Sequence, residues 1–368
     1  MNTQEKEEIK KEAEREAERE RRERDLDELF EIVKLVRPGT KLRTAIDDMV
    51  KASMGSLIVV GDSQEVLKTT NGGFKIDCKF TPQKLVELSK MDGAIILSDD
   101  LKKIVYCNTL LVPDHNIETH ETGTRHKAAE RTAKQTSRPV IAVSERRKTI
   151  NLYYKNTKYA LRNTERVLSK TVETLRMLEK HREILNELLV NLNVLEFANF
   201  ESLRDIISCI QKMEIISRIA ETIKKYLIEL GNEGNLVEIL LKEVIKGVDK
   251  EKNLLLMDYS RNWEFTKTAL ATLNFNEVLE SENIIRVLLY SSPSDPVMPI
   301  GYRLLSKVSV SQESKDTLIG YFKNFPSILN TIETEPDKIT RVIGEKDANK
   351  LIKELKKLKE QVLVGKRI

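Results

Sequence analysis

The sequence predicts an α/β domain built on a mixed sheet, followed by an all-α helical spine and a terminal module of short helices. Three observations carry that reading. Between Leu57 and Tyr154 short β-rich runs alternate with short helical stretches. After Lys155 apolar residues recur at seven-residue spacing, the mark of a long helix with a packed seam. Ser291-Ser292-Pro293-Ser294-Asp295-Pro296, with Pro299 beyond it, then breaks the helical texture.

The elements follow in chain order. Residues 1–26 form a charged extension in which Glu7 and Lys11, Glu18 and Arg22, and Glu20 and Arg24 stand at i,i+4 spacing, while only Ile9, Ala13 and Ala17 could face a core. This reads as a frayed helix or tail. The first domain occupies 27–155. It opens with a helical stripe, Leu29, Phe30, Ile32, Val33 and Val36, which Pro38-Gly39 stops before a second helix from Leu42 to Met54. Strands are predicted at Leu57–Val60, Ala94–Leu97, Ile104–Asn108, Val140–Val143 and Ile150–Tyr154, and Asn71-Gly72-Gly73-Phe74 reads as a turn leading into a strand. Thr81-Pro82 starts a helix to about Lys90, and Thr124 or a neighbour caps another that continues to Gln135.

The spine, 156–292, begins with a helix whose seam is Leu161, Leu168 and Leu175, joined by Thr171, Leu178, Leu185 and Leu192. A second helix runs from Ser202 to about Leu230, Gly231-Asn232-Glu233-Gly234 breaks it, and a third is expected from Asn235 to Tyr259. The last domain is 293–368. Residues 301–368 hold 14 Lys+Arg against 9 Asp+Glu, a local +5 that exceeds the +4 of the whole chain. A polyanion partner would therefore be met by this tail and not by a globally basic protein.

Composition excludes several classes. At 368 residues a disulfide-stapled miniprotein is ruled out. Cys78, Cys107 and Cys209 form no Cys-x-x-Cys pair, which argues for free thiols in a reducing compartment and against a zinc site. No run reaches the roughly 18 apolar residues that span a bilayer, and the first 24 residues have no apolar centre, so a cytoplasmic protein without membrane contact is expected. His115, His120 and His181 stand at no metal-ligand spacing.

Three segments could carry chemistry. Gly123-Thr124-Arg125-His126-Lys127 precedes a helical run, so backbone amides and basic side chains would converge on an anion such as a triphosphate; a solvated basic turn is the other reading. Ser144-Glu145-Arg146-Arg147 follows the strand Val140–Val143, where a hydroxyl and guanidinium forks suit phosphate oxygens, or form an exposed charged turn. Asp92-Gly93-Ala94 sets a carboxylate beside small residues at a helix–strand junction, a place to hold a divalent metal or simply a turn.

Together these segments are more specific than any one alone. KMDGAIILSDD from Lys90, ETGTRHKAAERTAKQT from Glu121 and VIAVSERR from Val140 closely resemble the diadenylate cyclase family of DNA-integrity scanning proteins. PGTKLR at Pro38, NGGF at Asn71, LVPD at Leu111 and GYRLL at Gly301 extend the resemblance over nearly everything after residue 26. It implies a cyclase domain, a helical spine and a terminal helix-hairpin-helix module. It also implies condensation of two ATP into cyclic di-AMP and two diphosphates with Mg²⁺ or Mn²⁺, by cyclase domains that face each other within a homo-octamer. Carried onto this chain, Asp92 is the catalytic carboxylate, binding the metal or accepting a proton; Arg125 and His126 are also catalytic, His126 by orienting the loop or bonding a phosphate. Gly93, Ala94, Leu111, Thr124, Lys127, Ser144 and Arg147 hold the nucleotide, Leu111 against the adenine.

Two positions depart from the family pattern. Lys127 stands where the motif's second arginine is expected and Ala128 where a threonine follows, which removes one guanidinium fork and one hydroxyl. A catalytically weakened or silent DNA-binding scaffold is the alternative these departures favour. In the terminal module the resemblance implies contact with branched DNA. Arg341-Val342-Ile343-Gly344-Glu345-Lys346 keeps the second glycine of a DNA-binding hairpin and has Val342 in place of the first; Gly344, Lys346 and Lys350 are its candidate contacts.

Overall fold

The computed structural model describes residues 28–365, so the predicted charged extension at 1–26 lies outside the described residues. By contacts the chain divides into two compact units, the described part of Met1–Thr171 with Lys225–Leu236, and Val172–Lys224 with Val237 onward. This partition cuts through the long helices of the predicted spine. It also keeps residues 293–365 in the same unit as most of that spine.

In the first unit α1 (residues 28–33) tightens into a 3-10 turn, Lys34–Val36, before Pro38-Gly39. Thr40 then caps α2 (Lys41–Lys51) by accepting from the Arg43 amide at 3.2 Å. The remaining elements are β1 (Ser56–Val60), α3 (Gln64–Lys68), β2 (Thr70–Asn71), β3 (Phe74–Lys79), α4 (Pro82–Leu88), β4 (Ala94–Leu97), β5 (Lys103–Leu111), α5 (Thr124–Thr136), β6 (Val140–Val143), β7 (Ile150–Tyr154) and β8 (Thr157–Leu161). The sheet order is β2-β5-β4-β1-β6-β7-β8, with β3 also on β5. Only β1 and β4 pair in parallel among the described strands, which makes the sheet mixed.

Alternation along the strands builds two cores. Ile58, Val60, Ile95, Leu97, Ile141 and Val143 face Leu42, Ile46 and Met49 of α2 and Leu85 of α4. Leu57, Val59, Ala94, Ile96, Val140 and Ala142 face Val66 of α3 and Ala129 and Ala133 of α5. A strand buried on both faces reads as an unbroken apolar run, which is why β1, β4 and β6 are visible in the sequence.

The sheet corrects two expectations. Asn71-Gly72-Gly73-Phe74 leads into β3 at Phe74 as expected but does not reverse the chain: Thr70 pairs with Leu111, Asn71 with Leu110, Phe74 with Cys107 and Lys75 with Tyr106, so the register is kept across the two glycines and shifts only between Lys75 and Cys78. A Cβ on Gly73 would fall 2.5 Å from the Cys107 carbonyl oxygen, so glycine lets the interruption lie close against β5. Strand signals also do not stop at Lys155. Leu161 ends β8 instead of opening the helical seam, because Thr157–Leu161 returns alongside β7 as a hairpin.

The long helices are α6 (Thr164–Ala198) and α7 (Leu203–Leu230), and the seam residues Thr171, Leu175, Leu178, Leu185 and Leu192 are buried. The single helix expected from Asn235 to Tyr259 is two, α8 (Asn235–Ile245) and α9 (Val248–Tyr259). Gly247, at φ +79°, supplies the left-handed residue that divides them. The chain continues through α10 (Trp263–Thr272), α11 (Phe275–Leu279), α12 (Ser281–Val287), α13 (Tyr302–Leu305), α14 (Gln312–Phe322), α15 (Phe325–Thr334), α16 (Pro336–Ile343) and α17 (Glu345–Leu363). None of the described helices is long and apolar enough to cross a membrane.

Within the second unit a buried polar knot joins α6, α9 and α13. Arg303, 1 % exposed, donates to Asn193 Oδ1 at 2.7 Å and Glu251 Oε1 at 3.1 Å, and pairs with Glu196, which also accepts from the Tyr259 hydroxyl at 2.7 Å. Asp258 accepts from the amides of Gly301, Tyr302 and Arg303 at 2.6–2.9 Å, which caps the start of α13. The tail's apolar core, including Leu304, Leu318, Phe325, Ile339, Leu351 and Leu355, takes in Phe197 at the end of α6.

Candidate functional site

Because β1 and β4 run in parallel while β5 and β6 run against them, the starts of β1 and β4 and the ends of β5 and β6 meet at one edge of the sheet. The first turn of α5 lies over that edge. A cavity of about 640 Å³ opens between them. It brings together Gly93, Ala94, Leu111, Thr124, Arg125, His126, Ser144 and Arg147 from four separate stretches of sequence. Its size is that of an ordinary small-molecule site.

Helix α5 starts without a side-chain cap. Its N-cap is Gly123, the neighbour of Thr124, and its first turn holds no acidic residue. The Gly123 carbonyl accepts from the Lys127 amide at 2.8 Å, so the amides of Thr124, Arg125 and His126 precede the helical ladder and remain available to an anion. At 3.6 residues per turn, Thr124, Arg125, His126 and Ala128 share the side of α5 toward the cavity and Lys127 takes the opposite side. Lys127 is accordingly exposed and outside the lining, whereas Ala128 is part of it. Among the described residues Arg125, Arg146 and Arg147 form no ion pair, which leaves three guanidinium groups at the cavity.

Two glycines give the site its shape. Gly93 adopts φ +94°, and a Cβ there would stand 2.8 Å from the Thr109 carbonyl oxygen, so the Asp92-Gly93-Ala94 turn needs glycine. Thr109 Oγ1 secures the same turn by donating to the Ala94 carbonyl at 3.0 Å. A Cβ on Gly55 would fall 2.1 Å from Arg125 Nη1, so this residue, ahead of β1 and not anticipated from the sequence, makes room for the guanidinium. Asp92 is exposed beside the cavity, outside its lining, and makes no hydrogen bond or ion pair among the described residues. No group of three or more His, Cys, Asp or Glu among the described residues could hold a metal by itself. A divalent ion at Asp92 would need substrate oxygens as well, which is how Mg²⁺ is commonly bound with nucleotides.

The far wall was not anticipated either. Asn151, Glu121 and Lys158 line it, and the Tyr153 hydroxyl donates to Glu121 Oε1 at 2.9 Å and lies 3.0 Å from His126 Nδ1. Lys158 pairs with Glu121. Burial pushes the His126 imidazole below its ordinary range despite the nearby Glu121 charge, and burial followed by the Glu121 contact pushes the Tyr153 phenol up. Burial would raise Glu121 too, but hydrogen bonds from Lys158 and Tyr153 outweigh it and hold the carboxyl low. Asn151 and Tyr153 stand two apart on β7, so strand alternation carried the signal that would have placed them on one face.

In the second unit Gly344, at φ +82° and exposed, joins α16 to α17. Lys346, Lys350, Lys353 and Lys357 are exposed at helical spacing along α17, opposite the buried Ala348, Leu351, Leu355 and Leu358. Glu345 and Asp347 occupy the same first turn, and Asp347 is engaged by the hydroxyls of Ser311 at 3.0 Å and Ser314 at 2.6 Å. The structure thus sets a lysine stripe beyond the corner and acidic groups at it.

Comparison with known proteins adds an independent finding. Residues 43–158 match the family described as DisA bacterial checkpoint controller nucleotide-binding, and residues 161–296 match the DisA bacterial checkpoint controller linker region. The DNA integrity scanning protein DisA of Acetivibrio thermocellus is 40% identical over 350 residues, covering 93% of this chain and 97% of that protein. Its counterpart from Clostridium acetobutylicum is 39% identical over 347 residues, covering 92% and 97%.

Proposed function

Because this chain belongs to the family of the DNA integrity scanning protein DisA, we propose that it condenses two ATP into cyclic di-AMP and two diphosphates and couples that reaction to branched DNA. The observation that carries the reading is the single cavity that unites the Gly93-Ala94 turn, the uncapped start of α5 and the Ser144–Arg147 loop. Amides of α5, Arg125, Thr124, Ser144 and Arg147 cradle the triphosphate, and Leu111 provides an apolar wall for the adenine. Asp92 is the residue that would hold Mg²⁺ or Mn²⁺, and the ion would supply charge neutralisation on the transferring group.

The 3′-hydroxyl oxygen of one ATP attacks the α-phosphorus of the other, its proton passes to solvent, the bond from that phosphorus to the α,β-bridging oxygen breaks and diphosphate leaves; the reciprocal step closes the ring. One cavity seats one ATP, so two chains must face each other, and we assign the active form to a homo-octamer as the resemblance implies. In the tail, α16, Gly344 and α17 act as the helix-hairpin-helix. The Gly344 corner, Lys346 and Lys350 meet phosphates without reading bases, and the rest of the lysine stripe extends the contact. Acidic Glu345 and Asp347 weaken each corner, so binding relies on several tails engaging the arms of one junction.

The test is incubation of the full chain with ATP and Mg²⁺ or Mn²⁺ and identification of the nucleotide product. Cyclic di-AMP supports the reading, whereas DNA binding without any cyclic dinucleotide supports the silent scaffold. Ala128, in the cavity wall where the family pattern has threonine, is the observation favouring that second reading.

A further inference from the structure

His126 is held from one side only. The Tyr153 phenol gives its proton to Glu121 Oε1 at 2.9 Å, so toward His126 Nδ1, 3.0 Å away, the phenol oxygen can only accept. Glu121 is in turn fixed by Lys158, whose ammonium also lies 5.9 Å from the Tyr153 ring centroid. Asn151 Nδ2 approaches the same Nδ1 at 3.5 Å, too long to compete with the phenol. Nε2, across the ring, has no hydrogen-bond partner among the described residues, and His126 lines the cavity.

We propose that Glu121 and Tyr153 are positioning residues that lock His126 as its Nδ1–H tautomer, leaving Nε2 as a hydrogen-bond acceptor for a hydroxyl or amino group of the nucleotide. The inference rests on the nucleotide reading above and deepens it. An unprotonated Nε2 cannot donate to a phosphate oxygen, and the donors an ATP offers are its ribose hydroxyls and its adenine amino group. The contact therefore belongs to the nucleoside part, with the phosphates left to the α5 amides and the arginines. The charged groups facing the imidazole are Glu121 from the loop before α5, Arg125 on α5, Arg147 from the loop before β7 and Lys158 on β8; of these only Glu121 favours the cation, and burial opposes it. Burial and the three cations thus disfavour the imidazolium form.

The experiment has two arms on the full chain. In the first, the chain is labelled with ¹⁵N-histidine and the His126 ring is read by long-range ¹⁵N–¹H correlation near neutral pH, assigned with His126→Gln. A protonated Nδ1 and bare Nε2, changing to a mixture containing Nε2–H in Tyr153→Phe and in Glu121→Ala, which removes the acceptor for the phenol proton, is the expected result. A parent His126 protonated at Nε2, or a tautomer unmoved by both substitutions, would overturn the proposal. In the second arm, Tyr153→Phe should lower turnover about tenfold in the parent, as loss of one oriented hydrogen bond implies, and less than about twofold in His126→Ala. Equal losses in both backgrounds would reduce Tyr153 to a structural residue. The first arm needs no turnover, so a chain that makes no cyclic di-AMP would refute the proposed activity and leave the tautomer to be judged separately.

Discussion

Arg303→Met removes the cation from the buried knot while keeping an unbranched side chain in its place. The guanidinium and the Glu196 carboxylate are 1% and 0% exposed, and Glu251 is 14% exposed. After the substitution Glu196 keeps the Tyr259 hydroxyl but no countercharge, while Glu251 keeps Lys307 at 3.1 Å. Breaking a buried pair from one side costs about 3–5 kcal/mol, because the remaining charge stays desolvated. With a urea dependence of roughly 1–3 kcal/mol per molar, the midpoint should fall by about 1–5 M. The chain's single tryptophan, Trp263, lies in the second unit, so its fluorescence reports the relevant transition. Glu196→Gln in the same chain should recover much of the loss. A fall of less than about 1 kcal/mol in the single variant would refute the claim that the knot ties α13 to α6 and α9.

Three further outcomes are expected. Asp92→Asn should abolish cyclic di-AMP formation while changing stability by less than about 0.5 kcal/mol, since the carboxylate is exposed and unpartnered among the described residues; a folded variant with near-parent turnover contradicts its role. Ala128→Thr should tighten ATP binding severalfold, whereas Lys127→Arg should leave it within about twofold, because only Ala128 lines the cavity; ATP titration of the two variants reverses this if Lys127 is the limiting contact. Burial raises Glu201 to about 7, so the native state keeps a proton that the unfolded chain, with a carboxyl near about 4.3, has released, and stability of the second unit should fall as pH rises through that window. Trp263 unfolding curves at acid and neutral pH should converge in Glu201→Gln, and an unchanged slope would show that Glu201 does not carry the effect.

What could be read from the sequence follows from how each element is buried. The strands β1, β4 and β6 are covered on both faces and so are apolar throughout, and the seam of α6 repeats because one side of the helix is packed. Strand β8 alternates weakly, Thr157-Lys158-Tyr159-Ala160-Leu161, and its leucine falls in phase with the helical repeat that follows. That coincidence hid the strand. Half of the cavity was legible because glycines, arginines and the helix start carry local signatures. The other half was not: Gly55 matters only because Arg125 lies against it, and Glu121, Tyr153 and Lys158 meet His126 only when the β7–β8 hairpin folds beside α5. Lys127 illustrates the converse, a motif position that helical geometry turns away from the cavity.

The account is tested most directly by product analysis of the full chain with ATP and Mg²⁺ or Mn²⁺, with and without a four-way DNA junction. It predicts cyclic di-AMP and diphosphate in a one-to-two ratio, and a rate that a junction alters more than the same mass of linear duplex does. Absence of any cyclic dinucleotide with either metal, from a chain that still binds the junction, would contradict it.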